Sequence, residues 1–334
     1  MNRNIARERR MRQITFRRED WKLRFPFTIT DHVFTGVEAL YVEIAEGGHT
    51  GRGEASGVYY LGENGDSMLA QAETVRAALE AGAGRRELLS SLPVGGVRNA
   101  IDCALWDLEA KQAGKRVWEL ADIVPDETYT FGTVGIDTPE RMAAAARQID
   151  GDRIKVKLSG EQSVERISAV RQARPGARIV VDVNQGWSFE QLEALAPKFC
   201  ELRIDMIEQP LPRGGDEALE GYQSPVPLCA DESCLDRSEF EAAARRYQMI
   251  NIKLDKTGGL TEALELARLA RTRGLELMVG NMVGTSLAMA PGYVVAQLCR
   301  YADLDGALFL EQDREHAMSF ENGRVSPPDP ALWG

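Results

Sequence analysis

The chain has 334 residues, of which 44% are hydrophobic and 27% charged, and this is enough for a globular barrel plus a smaller domain. Its net charge of −11 argues against nucleic acid as a partner, because phosphate binding requires a basic surface. No apolar segment approaches the roughly 20 residues of a membrane-spanning helix, so no membrane association is expected. The five cysteines are scattered without a CxxC pair, which favours free, buried thiols in a cytoplasmic protein.

The N-terminal third of the chain predicts a separate domain. Residues 1–13 are basic but lack the apolar segment of a signal peptide, and we expect a disordered leader there. The following pattern predicts three strands and an amphipathic helix: Trp21–Phe27, Ala39–Ile44, Gly51–Glu54 and Asn99–Ala113. Strands followed by a helical region indicate an α+β domain, which we place at 14–125 and expect 313–334 to complete.

Residues 126–312 alternate short apolar strands with helices. The expected strands are Thr128–Val134, Arg153–Lys157, Arg178–Asp182, Ile204–Glu208, Val226–Asp231, Met249–Lys253, Leu275–Val279 and Leu304–Leu310. Helix boundaries are predicted by capping boxes at Ser188 with Gln191 and at Ser238 with Glu241, by Thr138 before Pro139, and by Gly274 as a stop. About eight parallel strands joined by helices predict a closed (β/α) barrel.

Charged residues recur at the C-terminal ends of these strands, where barrel enzymes place their reactive groups. Asp182, Glu208 and Asp231 come from three successive strands and would form an all-oxygen set suited to Mg²⁺. The pair Lys155 and Lys157 precedes this set and Lys253 follows it, so amines are expected on both sides of a metal-bound substrate. One such carboxylate alone is more often a helix cap, and the prediction therefore depends on the whole set.

Together these motifs resemble the muconate-lactonising-enzyme subgroup of the enolase superfamily. The matching segments are Lys155-Val-Lys157, Asp182-Val-Asn184, Glu208-Gln-Pro210, Ala230-Asp-Glu-Ser233, Asn251 to Gly259 and Arg98 to Asp107. The mandelate-racemase subgroup would carry a histidine after the seventh strand, and Met278–Ser286 has none. The resemblance implies an α/β protein with a modified TIM barrel, (β/α)7β, at 126–312 and an N-terminal α+β capping domain.

The resemblance also implies a cofactor and a set of roles. One Mg²⁺ per subunit would be bound by Asp182, Glu208 and Asp231. Lys157 and Lys253 would be the acid/base pair on opposite faces of the substrate's α-carbon, and Lys155 would stabilise the enolate; enolase-superfamily sites with a lysine base and Mg²⁺ are a known example of pKa tuning. We expect these bases to need pKa values lowered toward neutrality. Two bases on opposite faces predict an isomerase that racemises or epimerises its substrate.

The last strand and two loops suggest the substrate. Asp303-Leu-Asp305 resembles the Asp-x-Asp that binds the α-ammonium in dipeptide epimerases, which favours a free L,L- or L,D-dipeptide. Asp31 stands where Ala-Glu epimerases usually carry an arginine for the glutamate carboxylate, so the second residue is predicted to be cationic or apolar. The segment 59–63 is expected to be a mobile loop over the site. The remaining predicted substrate-binding residues are Tyr60, Thr133 and Asn184.

Other functions stay open at this point. The nearest alternatives in the same subgroup are an N-acylamino acid racemase, an o-succinylbenzoate synthase and a cycloisomerase. Outside the subgroup, Lys157 or Lys253 could serve as a Schiff-base nucleophile, and a binding protein that kept the barrel is a fourth option. The sequence does not decide whether the subunits form a homo-oligomer.

Overall fold

The computed structural model describes residues 12–29 and 32–334. Most of the predicted leader lies outside this range, and the first strand already begins at Gln13. The strands are β1 Gln13–Ile29, β2 His32–Glu46, β3 His49–Ala55, β4 Thr128–Tyr129, β5 Gly132–Val134, β6 Arg153–Lys157, β7 Arg178–Asp182, β8 Met206–Glu208, β9 Leu228–Ala230, β10 Met249–Lys253, β11 Glu276–Gly280, β12 Tyr301–Ala302, β13 Phe320–Glu321 and β14 Arg324–Val325.

Helices cover the outside of the barrel and one face of the N-terminal sheet. They are α1 Gly65–Glu73, α2 Arg76–Glu80, α3 Arg85–Ser91, α4 Gly96–Ala113, α5 Val117–Leu120, α6 Pro139–Gln148, α7 Ser163–Ala173, α8 Phe189–Glu201, α9 Phe240–Arg246, α10 Leu254–Thr257, α11 Leu260–Thr272 and α12 Ser286–Ala296. Within the described part of the chain, no helix has both the length and the apolar character needed to cross a membrane.

The N-terminal domain is a three-stranded antiparallel sheet, in the order β1-β2-β3, packed against α4. Gly51 and Gly53 on β3 face this helix, and a Cβ atom at either position would overlap the helix backbone. The glycines therefore allow an unusually close approach of helix and sheet. The C-terminal segment returns to the same helix: the indole of Trp333 is fully buried and its Nε1 donates to Cys103 O at 3.0 Å.

The second sheet has eight parallel strands in the unbroken order β5 to β12. Its two edges meet through a bridge between Thr130 and Ala302 and a hydrogen bond from Phe131 N to Ala302 O of 3.0 Å. The sheet thus curls into a barrel, and the predicted fold class, a modified TIM barrel with an N-terminal capping domain, is confirmed.

Alternation along the strands explains where the charges lie. Seven buried side chains form an apolar floor inside the barrel: Phe131, Val180, Met206, Cys229, Met249, Met278 and Tyr301. Successive side chains in a strand point to opposite faces, so the residue two positions later faces inward as well. On β7, β8 and β9 that step leads from Val180, Met206 and Cys229 to the three predicted metal-binding carboxylates, which therefore form a charged layer above the floor.

Several local predictions were tested by the backbone. The caps at Thr138 and Ser188 are present, with side-chain oxygens accepting from Arg141 N and Gln191 N. The predicted cap at Ser238 was wrong. Both the amide and the hydroxyl of Ser238 donate to the Asp236 carboxylate, and the helix starts later, at Phe240.

The eighth strand was also misplaced. It is Tyr301–Ala302, and the predicted segment Leu304–Leu310 contains a 3-10 turn at Gly306–Phe309 instead. Burial of Leu304 and Leu310 in non-strand contacts produced the apolar pattern. All five cysteines are free, but Cys200 is exposed, so burial of every thiol was wrong.

Candidate active site

Lysines and carboxylates meet at the C-terminal mouth of the barrel. Lys155 on β6 lies at the centre and is 2% exposed. Its Nζ is 3.1 Å from Asp182 Oδ2 and 2.8 Å from Glu208 Oε2. On its other side it is 2.9 Å from Asp303 Oδ2, which lies just after the last strand. The buried ammonium of Lys155 therefore links carboxylates on β7 and β8 with a carboxylate that follows β12, the strand at the far edge of the sheet.

The two other predicted catalytic lysines come from opposite sides of the barrel. Lys157 ends β6, and its Nζ lies 2.6 Å from Asp182 Oδ2 and 3.0 Å from Asn184 Oδ1. Lys253 ends β10, and its Nζ lies 2.7 Å from Asp231 Oδ2. Both amines also line the same cavity, so they can approach one bound molecule from two directions.

The three predicted metal-binding carboxylates are buried on neighbouring strands. Asp182 and Glu208 are paired in register, and Asp231 follows the next strand. They offer only oxygen donors, which fits Mg²⁺. Glu208 Oε2 and Asp231 Oδ1 are buried without a well-oriented hydrogen bond, although lysine amines lie close to both. These are oxygens that a hard cation could take.

As placed, the carboxylates face the lysines rather than one another. Among the described residues, no group of three acidic, histidine or cysteine side chains is already gathered as a metal-binding cluster. The donor chemistry therefore fits a divalent cation. Binding would require these carboxylates to exchange contacts with amines for contacts with the metal.

Charge pairing decides the protonation of the cluster. Burial alone would raise the pKa of Asp182, but the ammonium groups of Lys157, Lys155 and Lys253 outweigh it and hold that pKa at about 2. Burial would likewise lower the pKa of Lys253, but the charge of Asp231 raises it well above its ordinary value. In this state the amine is charged, opposite to the lowered pKa that a general base needs.

Asp303 and Asp305 differ in their surroundings. Asp303 is paired with Lys155, while Asp305 Oδ2 accepts the amide of Thr133 at 3.0 Å. Burial and the neighbouring charge of Asp303 raise the pKa of Asp305 to about 8. Near neutral pH Asp305 is therefore largely protonated.

A cavity of about 400 Å³ opens between the barrel mouth and the capping domain. Its lining includes the two lysine amines and an apolar wall made of Phe34, Val37, Tyr59, Tyr60, Met282 and Val283. The ring centroids of Phe34 and Tyr59, and of Tyr59 and Tyr60, are each 5.2 Å apart in edge-to-face contact. The volume suits a small polar molecule with an apolar side chain.

The predicted substrate-binding residues fall in three places. Tyr60 and Asn184 line the cavity, whereas Thr133 contributes its backbone amide to Asp305. The buried Tyr60 hydroxyl has no hydrogen-bond partner among the residues that the structure describes. Asp31 lies outside the described residues.

Sequence reasoning gave no role to several residues of this cluster. Lys256 is fully buried, and its Nζ lies 2.6 Å from Asp231 Oδ1 and also donates to Asp231 O, Asn251 O and Cys234 O. Glu232 also lines the cavity. Its burial and, secondly, the negative charges of nearby carboxylates raise its pKa to about 8. Lys256 stands three residues after Lys253, and this spacing was the available signal.

Two family models cover most of the chain. The N-terminal domain of the mandelate racemase / muconate lactonizing enzyme family matches residues 11–121, and the enolase C-terminal domain-like model matches 139–331. The chain therefore belongs to the enolase superfamily, with both domains of its mandelate racemase / muconate lactonizing type. Its enzyme class is isomerase, among the racemases and epimerases.

Two relatives with named activities align with most of the chain. It is 42% identical over 319 residues to the L-Ala-D/L-Glu epimerase of Escherichia coli (strain K12), covering 94% of this chain and 99% of that one. It is 44% identical over 249 residues to an N-acetyl-D-glutamate racemase of a Pseudoalteromonas species, covering 74% of this chain and 79% of that one.

Solved structures show the same architecture. An enolase family member from Agrobacterium tumefaciens with homology to dipeptide epimerases, with bound sodium and L-Ala-L-Glu, is 40% identical with a TM-score of 0.93, covering 97% of this chain and all of that one. A dipeptide epimerase from Methylococcus capsulatus, complexed with Mg and L-Arg-D-Lys, is 32% identical with a TM-score of 0.91, covering 97% and 99%. Family membership favours the epimerase prediction over the Schiff-base and binding-protein alternatives.

Proposed function

We propose that the chain is a Mg²⁺-dependent dipeptide epimerase that inverts the α-carbon of the C-terminal residue. The observation that carries this proposal is the placement of two lysine amines, from β6 and β10, on one cavity. A single-base site could remove a proton but would return it to the same face. Two amines on opposite sides allow removal from one face and return to the other.

The residues divide the work by charge. Lys157 Nζ or Lys253 Nζ accepts the α-proton in its neutral form, the other amine donates a proton to the opposite face, and the planar enolate between them is stabilised by the ammonium of Lys155. Asp182, Glu208 and Asp231 would hold one Mg²⁺ per subunit, which supplies positive charge next to the substrate carboxylate as the enolate forms. Burial of Lys155 keeps its charge unscreened by water.

The N-terminus of the dipeptide is proposed to lie against Asp303 and Asp305. Asp305 is largely protonated near neutral pH, and the carboxylate of Asp303 beside it offers an anionic partner to an α-ammonium. An N-acylated substrate has no charge at this position and would leave the carboxylate of Asp303 dependent on Lys155 alone.

The side chain of the second residue is proposed to be apolar. The cavity wall is largely aromatic and aliphatic, and the cations among its described lining residues are Lys157 and Lys253, which already face carboxylates. No arginine lines the described part of the cavity to bind a glutamate side chain. Glutamate is the rival second residue, because the Escherichia coli relative is an L-Ala-D/L-Glu epimerase and the Agrobacterium tumefaciens structure has bound L-Ala-L-Glu.

Proton NMR in D₂O tests the reaction and the specificity together. We expect loss of the α-proton signal of the C-terminal residue across a set of L-Ala-L-Xaa dipeptides, fastest for apolar Xaa, with Mg²⁺ and not with EDTA. Lys157→Arg and Lys253→Arg should each slow the exchange of the α-proton from one epimer much more than from the other. Equal rates from both epimers in these variants would contradict the two-base arrangement, and a preference for L-Ala-L-Glu would contradict the apolar specificity.

A second candidate is an N-acylamino acid racemase. It is favoured by the similarity to an N-acetyl-D-glutamate racemase and by the ion pair of Asp303 Oδ2 with Lys155, although Asp303 Oδ1 is buried without a hydrogen bond from the described residues. Asp303→Asn separates the two functions. A dipeptide epimerase should lose far more activity with free dipeptides than with N-acetyl amino acids. An N-acyl racemase should lose only what the weakened contact with Lys155 costs, to the same extent with both classes of substrate.

We further propose the cytoplasm as the working location, because all five cysteines are free thiols. Homo-oligomer formation stays a proposal, for which light scattering at several protein concentrations is the test.

A further inference from the structure

The segment that carries Tyr59 and Tyr60 is held at both ends. It runs over residues 56–63 between β3 and α1, and its two rings form part of the cavity wall beside Lys253. The sequence predicted a mobile loop here. Its contacts with the barrel and with α4 lead to a different interpretation.

The first attachment comes from the barrel. Asp255 lies two residues after Lys253, and its buried Oδ1 accepts the amide of Gly57 at 2.8 Å. Next to it, the hydroxyl of Ser56 donates to Val283 O at 2.5 Å. The loop therefore leaves β3 already bonded to two segments of the barrel domain, one that follows β10 and one that follows β11.

The second attachment comes from the capping domain. The carboxylate of Glu63 accepts the amide of Val58 at 2.7 Å and the amide of Gly96 at 3.0 Å, at the start of the 18-residue helix α4. A carboxylate at this helix end is favourable because backbone N–H groups there lack partners in the helix. Glu63 thus closes the loop on itself and fastens it to α4.

Two glycines allow the Glu63 carboxylate to bind in this position. Gly57 and Gly95 have φ angles of +73° and +138°, which side chains other than glycine rarely adopt. A Cβ at Gly57 would lie 2.9 Å from the Cβ of Glu63, and one at Gly95 would overlap Glu63 Oε1. The backbone is shaped around the carboxylate, which indicates a built contact rather than a chance one.

We propose that Asp255 is a positioning residue that holds the Tyr59–Tyr60 wall fixed relative to Lys253. The proposal rests on the proposed function in one respect, that Lys253 works at this cavity. In that proposed function Asp255 does not itself contact a reacting atom. It acts through the Gly57 amide, so that the junction of β10 and α10 sets both the base and the surface against which the substrate side chain packs.

The consequence concerns substrate binding more than the chemical step. Releasing the wall should weaken the contact of an apolar side chain while leaving the lysines in place. Loss of the hydrogen bond that holds the wall should weaken binding of an apolar side chain roughly tenfold, which corresponds to about 1.4 kcal/mol.

Asp255→Ala and Asp255→Asn test this, with Glu201→Ala, an exposed carboxylate at the end of α8, as the control. For Asp255→Ala we expect KM for an apolar dipeptide to rise roughly tenfold with kcat changed less than threefold, a flatter preference among second residues, and at least tenfold faster amide exchange at 57–61. Asp255→Asn keeps an acceptor oxygen and should recover most of the wild-type KM. The control should match wild type.

Amide exchange separates failure of this proposal from failure of the proposed function, because it needs no turnover. Fast exchange at 57–61 in the wild type would show a mobile lid and overturn the proposal. So would an Asp255→Ala variant that lowers kcat with KM and loop exchange unchanged. If that variant does not fold, Glu63→Gln and the wild-type exchange rates decide by the same criteria.

Discussion

Replacing Lys256 by methionine should cost more stability than almost any other lysine substitution in the chain. Its Nζ has no exposed surface, lies 2.6 Å from Asp231 Oδ1 and donates to three backbone carbonyls. Methionine fills a similar volume but offers no donor, so three carbonyls lose a partner and Asp231 keeps only Lys253. Breaking one side of a buried ion pair costs about 3–5 kcal/mol, and we expect a loss in that range.

Urea unfolding followed by circular dichroism measures this loss. Lys198→Met is the matched control, since Lys198 is exposed on α8, and it should change the free energy of unfolding by less than about 0.5 kcal/mol. Adding Asp231→Asn completes a double-mutant cycle, in which a coupling of about 1.5 kcal/mol or more is expected. A loss below about 1 kcal/mol for Lys256→Met, or no coupling, would refute the argument that this cation balances Asp231.

Three further predictions concern the domains around the site. Trp333→Ala should lower the free energy of unfolding by about 3–5 kcal/mol in urea titrations, because the buried indole fills space beneath α4 and bonds Cys103 O; a loss under 1 kcal/mol would mean that the segment is dispensable. Gly53→Ala should reduce the melting temperature measured by calorimetry, since its Cβ would overlap Ala100 O, and an unchanged value would show that α4 can shift freely. Burial raises the pKa of Asp102 from 3.8 to about 6, so its contribution to stability is fully present below pH 4 and is lost as pH rises through 6, by up to about 3 kcal/mol. Asp102→Asn should therefore gain on wild type between pH 4.5 and 7 in urea titrations, and a constant difference would contradict the assignment.

Much of the site could be predicted from the sequence because barrel geometry is periodic. Parallel strands in register place residues such as Asp182 and Glu208 side by side, and their spacing along the chain is visible without coordinates. The position of the last strand was not predictable in this way. It has only two residues, and burial of Leu310 by a bridge to Leu23 of another domain imitates a strand pattern.

Contacts between residues far apart in the sequence could not be predicted either. The roles of Glu63 and Asp255 depend on which amides reach them from segments 33 and 198 residues away along the chain. Contacts between residues so far apart in the sequence leave no periodic pattern in the local sequence. Ser238 shows the limit at short range, since a competing carboxylate two residues earlier took its hydrogen bonds.

The edges of the barrel meet across β5, and little backbone pairing holds them there. Beyond the Thr130–Ala302 bridge and the hydrogen bond from Phe131 N to Ala302 O, side chains add further contacts. Thr130 Oγ1 accepts from Leu304 N, Lys155 pairs with Asp303, and Asp305 accepts a hydrogen bond from the Thr133 amide. Groups expected to handle substrate thus also complete the cylinder. Redesign of the Asp-x-Asp motif for new substrates would therefore alter the mechanical integrity of the barrel, and compensating hydrogen bonds between β5 and β12 would have to be introduced in the same step.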